Sequence, residues 1–287
     1  MRNAAMAAKP DYLIHLGDVY YTGTPKFREG LLFWGHGTEE KHLVDFWPDA
    51  MPKGRSFTMN SNHEMYPGAW GLYDDTLTAP AFLHQNRRTY FLLQNEHWQI
   101  FGLDTAYDSP DFMYMYGALN DEQTKFLHDN LDTRKKIILL THHTPYDVTG
   151  TQEEVEDGVS LLKDVTTAFK AAPNSTKALP DYWYFGHIHD GIVYTDTNGC
   201  KMRCTGHASM PYGAPWGLAK PGATPPFKTC DFIPSVEFFA QTPYPGKDPG
   251  QQVMNGYMSF TLNGDQIAEA CYDSDGQCRW PCPADNT

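Results

Sequence analysis

No cysteine occurs before residue 200 of this 287-residue chain. That excludes a disulfide-stapled fold, or a thiolate zinc site, for the front two thirds. No apolar run approaches the roughly 20 residues of a membrane helix, so no membrane association is expected. The opening residues show no apolar stretch of a signal peptide. Lys and Arg total 22 against 35 acids, a net charge of −13, so the basic footprint that nucleic acid requires is missing. An acidic balance does not exclude a phosphate ester, because bound metal ions supply local positive charge. No repeat or low-complexity tract appears, which excludes a solenoid. With 41% hydrophobic and 20% charged residues, the chain is globular and long enough to bury a large core.

What is present is four apolar runs, each leading into metal-capable side chains. Tyr12 to Leu16 leads into Gly17-Asp18 and Tyr21. Ser56 to Met59 leads into Asn62-His63-Glu64, and Ile137 to Leu140 leads into His142-His143. Tyr182 to Phe185 leads into Gly186-His187-Ile188-His189. Strands that deliver ligands to one edge are how an open α/β sheet builds a site. His187 and His189 are two apart, which puts both rings on one side of an extended segment. Asp18 after Gly17 reads as a ligand or as a turn cap. Tyr21 reads as a phenolate ligand or as a packed loop aromatic, and Asn62 as a carbonyl ligand or as a turn residue.

The rest of the pattern predicts an α/β layered fold within a single domain, residues 1–287. Residues 1–9 read as the end of a helix that Pro10 stops. A helix is predicted over Thr38–Ala50, capped by Thr38, and others over Asn120–Leu131 and Gly158–Ala172. Strands are predicted over Arg88–Asn95 and His97–Leu103. Beyond Gly191, antiparallel strands are expected over residues 191–195, 201–205, 236–241, 257–262 and 266–272. Residues 210–250 read as a long Pro/Gly-rich loop, and 271–287 as a cysteine-containing tail. Cys200, Cys204, Cys230, Cys271, Cys278 and Cys282 are expected to form disulfides, pointing to an extracytoplasmic or secreted location. His207 reads as a rim residue or a surface loop residue, Asp104 as a residue near the site or a helix or turn cap, and His15 as a packed core residue.

In this order, Gly17-Asp18, Asn62-His63-Glu64, the His pair and Gly-His-Ile-His resemble the calcineurin-like metallophosphoesterases. The run Gly17 to Gly23 is similar to the purple acid phosphatase branch, where a Tyr three places after the Asp is an iron ligand. The resemblance spans about Asp11 to Gly191. It implies a four-layer α/β/β/α sandwich of two mixed sheets flanked by helices, and a metal-dependent phosphatase or phosphodiesterase that uses metal-activated water. The implied cofactors are one or two metal ions per chain, of Fe, Zn or Mn. The implied partner is a small-molecule phosphate ester.

By that resemblance Asp18 bridges the two ions. Tyr21 and His189 serve the ferric-type ion, and Asn62, His142 and His187 serve the divalent one. His63 contacts the phosphate and protonates the leaving oxygen, while Glu64 orients His63. His143 lies near the phosphate; a His-x-Pro match at His143-Thr144-Pro145 leaves it open as the ligand in place of His142. The family's first motif, which carries one more aspartate ligand, has no counterpart here. The chain is therefore expected to begin after the first strand and to expose a sheet edge open to self-association. The alternative reading is an impaired binding protein on the same fold, or a truncated gene product.

Overall fold

The computed structural model describes residues 2–21, 26–28, 31–33, 41–148, 152–173, 175–196, 198–208, 210–213 and 236–281. They begin with α1 (Arg2–Ala7), β1 (Leu13–His15), β2 (Lys26–Arg28), β3 (Leu31–Phe33), α2 (His42–Phe46), β4 (Ser56–Thr58) and α3 (Asn62–Met65). A π-helical turn at Gly71–Thr76 and a 3-10 turn at Leu83–Gln85 follow. Then come β5 (Phe91–Gln94), β6 (Trp98–Gly102), α4 (Asp121–Asn130), β7 (Lys136–Thr141), α5 (Leu161–Ala171) and β8 (Tyr182–Phe185). The chain ends with β9 (Gly191–Tyr194), β10 (Lys201–Thr205), β11 (Val236–Phe239), β12 (Gly256–Asn263), β13 (Gln266–Asp273) and β14 (Cys278–Trp280).

The layering follows from strands that are apolar on both faces. In β7, Ile137 and Leu139 face one side, and Ile138 and Leu140 the other. In β8, Trp183 and Phe185 oppose Tyr182 and Tyr184 in the same way. Such strands must be covered twice, because each buried aliphatic or aromatic side chain stabilises by roughly 1.5–3 kcal/mol. They sit inside a seven-stranded mixed sheet of order β11-β9-β10-β8-β7-β6-β5. One face packs on Leu127 of α4 and on Val165, Ala168 and Phe169 of α5. The helices start where Asn120 accepts the Gln123 N–H at 2.9 Å and Ser160 accepts the Lys163 N–H at 3.2 Å.

The other face packs on a second strand layer that supplies Ile14, Phe57, Met258, Phe260, Leu262 and Ile267. Among the described residues that layer is in two pieces. One is the parallel pair β1–β4, and the other is the antiparallel sheet β12-β13-β14. A buried ion pair ties the layers together: Arg203 donates to both carboxylate oxygens of Glu269, at 2.8 and 3.0 Å. Outside β1–β4, Trp47 donates to Ser56 at 2.8 Å, over a third cluster built from Tyr20, Leu72, Leu77 and Phe82. Helix, sheet, strand layer and helical cover thus follow one another, as expected.

β10 is antiparallel to β9, as expected, and pairs parallel with β8 on its other edge. Two expectations need correction. β14 was not anticipated; it pairs with β13 through Cys271 and Tyr272. No disulfide joins two cysteines among the described residues. Cys200 and Cys204 are thiols sealed in the core, and burial pushes both pKa values far up. Thr38, Cys230, Cys282 and residues 214–235 of the Pro/Gly-rich segment lie outside the described residues. Among those described, no helix is long and apolar enough to cross a membrane.

Candidate metal centre

Parallel pairing of β1 with β4 and of β7 with β8 brings the ends of these four strands to one edge. The turn after β1 is the tightest point. Gly17 (φ +100°) and Asp18 (φ +71°) are both left-handed. A Cβ at Gly17 would lie 2.6 Å from Ser61 Cβ and 2.9 Å from His142 Nδ1, so glycine is required twice over. Left-handed Asp18 costs on the order of 1–3 kcal/mol unless its surroundings hold it. They do: Glu64 accepts the Asp18 N–H at 3.1 Å and the Val19 N–H at 2.9 Å. Ser61 Oγ caps α3 by accepting the His63 N–H at 3.1 Å, and it accepts the Asp18 N–H at 3.0 Å as well.

Held this way, the two oxygens of Asp18 face different neighbours. Oδ1 lies 3.4 Å from His142 Nε2. That nitrogen is 3.0 Å from Asn62 Oδ1 and 3.2 Å from His187 Nδ1. Oδ2 lies 3.0 Å from His189 Nε2, and Tyr21 Oη is 3.3 Å from both of those atoms. One carboxylate therefore joins two knots of donor atoms. Asp18, His63 and His189 form one group whose ligand atoms lie within 4.8 Å of one another; His142, His143 and His187 form another.

The protons are fixed from behind. His142 Nδ1–H donates to the Leu16 carbonyl at 2.8 Å, and His189 Nδ1–H donates to the Met210 carbonyl at 2.8 Å. Backbone carbonyls only accept, so in the neutral form of each ring Nε2 is the acceptor. Burial pushes His142 and His187 down to about 3, which keeps both rings neutral. Burial also pushes the Asp18 carboxyl up, but His142, His189, His63 and His187 outweigh it and hold Asp18 well below the usual range. Tyr21 donates to Asp18 Oδ2 at 3.3 Å and Ser61 to Oδ1 at 2.8 Å. Where a ring is neutral, its Nε2 is an acceptor facing the buried Asp18 and Asn62 oxygens. Cations between them resolve that conflict, and a mixed N/O donor set suits Zn, Fe or Mn.

Several residues sit otherwise than anticipated. Glu64 is not directed at His63: its carboxylate is taken by Asp18 N–H, Val19 N–H and the Ser61 hydroxyl, and burial with the Asp18 charge pushes it up to about 7. His187 is left-handed (φ +57°), so the His187–His189 segment is not extended. Successive bonds Ile188 N–H to Gly186 O and Asp190 N–H to Ile188 O turn it, and the two rings reach different knots. Ser61 is extended (φ −150°) and needs no glycine. His143 Nε2–H donates to the Tyr114 carbonyl at 2.9 Å, and its Nδ1 accepts from Thr105 at 2.9 Å.

His207 is neither a rim nor a surface residue but fully buried. Asp104 caps a turn through the Ala106 and Tyr107 N–H groups, both at 3.0 Å. His15 contacts Thr58 at 3.2 Å. Sequence reasoning missed the supports: Leu16 and Met210 carbonyls, Thr105, and the Tyr114 carbonyl. Backbone acceptors and a lone Thr leave no motif to find.

The sequence profile of calcineurin-like phosphoesterases matches residues 1–191. The chain belongs to the calcineurin-like phosphoesterase family. A comparison with curated proteins finds no match. Among solved structures, this phosphoesterase-family chain is similar to the purple acid phosphatase PPD1 from yellow lupin (Lupinus luteus) seeds. The TM-score is 0.51 at 15% identity, over 97% of this chain and 47% of that one. It thus spans about half the length of the lupin protein. It is also similar to GAP50, the anchor in the inner membrane complex of Plasmodium, with a TM-score of 0.55 at 13% identity over 96% of this chain and 78% of that one. At these identities the likeness is one of fold.

Proposed function

We propose that this protein is a metal-dependent hydrolase of phosphate esters. The observation that carries the reading is the Asp18 carboxylate, with one oxygen toward His142, whose Nε2 meets Asn62 and His187, and the other toward His189 and Tyr21. Asn62, His142 and His187 would hold a divalent ion; Tyr21 and His189 would hold a harder one, since a phenol oxygen prefers it. When bound, such a pair lowers the pKa of a water and neutralises the charge on the transferring phosphoryl group.

The chain's own residues do the positioning. Leu16 and Met210 carbonyls orient the His142 and His189 rings so that their Nε2 lone pairs converge. Glu64 and Ser61 hold the left-handed Asp18 turn. His143 and the Tyr114 carbonyl tie the 105–117 loop to the end of β7.

The test is hydrolysis of p-nitrophenyl phosphate and bis(p-nitrophenyl) phosphate after loading with Zn, Mn or Fe. Wild type is expected to be active and Asp18→Asn to lose metal and activity together. Full activity in Asp18→Asn would sink the reading. A second reading, a binding protein on the same fold, draws on Asp18 being the one carboxylate in the two described donor groups. It predicts a protein that takes up no metal.

A further inference from the structure

His63 stands apart from the role implied by resemblance. It is the second residue of α3, and that helix is pinned at its start by Ser61. Ser61 Oγ accepts the His63 N–H, and the same oxygen accepts the Asp18 N–H. One hydroxyl therefore sets the position of both residues. The His63 ring lies against Tyr21, with centroids 4.0 Å apart at 38°, and faces His189 at 6.3 Å. A ligand atom of His63 lies within 4.8 Å of those of both Asp18 and His189.

The other three donors already define a coordination face. Asp18 Oδ2, His189 Nε2 and Tyr21 Oη form a triangle with edges of 3.0, 3.3 and 3.3 Å. Four donors placed tetrahedrally at about 2.0–2.1 Å from an ion are about 3.3–3.4 Å apart. Two of the triangle's edges have that length, and the third, at 3.0 Å, is shorter. With a ligand atom within 4.8 Å of those of Asp18 and His189, His63 has to close by up to roughly 1.5 Å, within reach of a side-chain rotation, to complete a set of two nitrogens and two oxygens.

We propose that His63 is the fourth ligand of the cation held by Asp18, Tyr21 and His189, and does not protonate the leaving oxygen. The inference rests on the metal-dependent reading above. The half of the centre with Tyr21 then has four ligands among the described residues.

Cobalt(II) titration of the chelator-stripped full chain tests it, read by calorimetry and visible absorption. Loss of an outer partner costs about 10–100-fold in metal affinity. Loss of a ligand should cost at least about 100-fold. Wild type is expected to bind two ions, and His63→Ala to keep one while the other weakens by that factor. His63→Cys is expected to restore the second ion and to add a thiolate-to-cobalt charge-transfer band that wild type lacks. That band requires residue 63 in the coordination sphere, so it decides the matter even if His63→Ala folds poorly. Two ions bound unchanged by His63→Ala, with no new band in His63→Cys, would overturn the proposal and leave the hydrolase reading standing. No cobalt uptake by wild type would sink both.

Discussion

His207 supplies a test of the fold that is independent of the metal centre. The ring is fully buried, wedged against two glycines: a Cβ at Gly256 would lie 2.2 Å from its Nε2, and one at Gly191 2.6 Å from its Cε1. Neither ring nitrogen meets a hydrogen-bond partner among the described residues. Burial with no compensating charge lowers its pKa from 6.5 to about 4. As pH falls, the unfolded chain therefore takes up the proton first. Stability from this group is complete above about pH 6.5 and declines as pH drops toward 4. The linkage relation gives a loss of about 2 kcal/mol at about pH 5, and about 3 kcal/mol once both states are protonated.

Methionine has nearly the volume of histidine, adapts to narrow gaps and does not titrate. His207→Met should match or exceed wild-type stability at about pH 8, because it leaves no unmet polar atom in the core. Between about pH 8 and pH 5 it should lose about 2 kcal/mol less than wild type. Urea unfolding of both proteins, stripped of metal, measures the difference, and the other buried histidines cancel between them. Equal slopes for the two proteins would refute the argument, since the His207 ring would then be ionising in the folded state without cost.

Other expectations follow from the same geometry. Gly17→Ala should destabilise by at least about 2 kcal/mol and weaken metal uptake, because its Cβ collides with Ser61 and His142 at a left-handed φ; chemical unfolding and metal titration would report both. Arg203→Met should cost about 3–5 kcal/mol by leaving the Glu269 carboxylate buried without its cation, and a second change, Glu269→Met, should return most of it. A double-mutant cycle of melting curves checks this, and an unrescued double mutant would contradict it. Asp18→Asn should release metal from both knots, since its two oxygens face both, whereas His142→Ala should release one; metal analysis per chain distinguishes them.

The sequence by itself determined the elements and the cast. β7 and β8 appear where apolar runs predicted them, and β10 where a strand was read; α4 begins at its expected cap Asn120, while α5 begins at Ser160, just inside the expected start at Gly158, because caps and periodicity act within a few residues. The metal-capable residues were legible for the same reason: each follows directly on a strand. Tertiary structure decided how they meet. His142 is oriented by Leu16, 126 positions away, and Tyr21 reaches His189 across 168. Glu64 serves the Asp18 turn instead of its neighbour His63, and His63 turns toward Tyr21. The thiols Cys200 and Cys204 are core residues, and β10 runs parallel to β8. A side chain's partners depend on which backbone groups packing leaves unpaired nearby, and those lie far off along the chain.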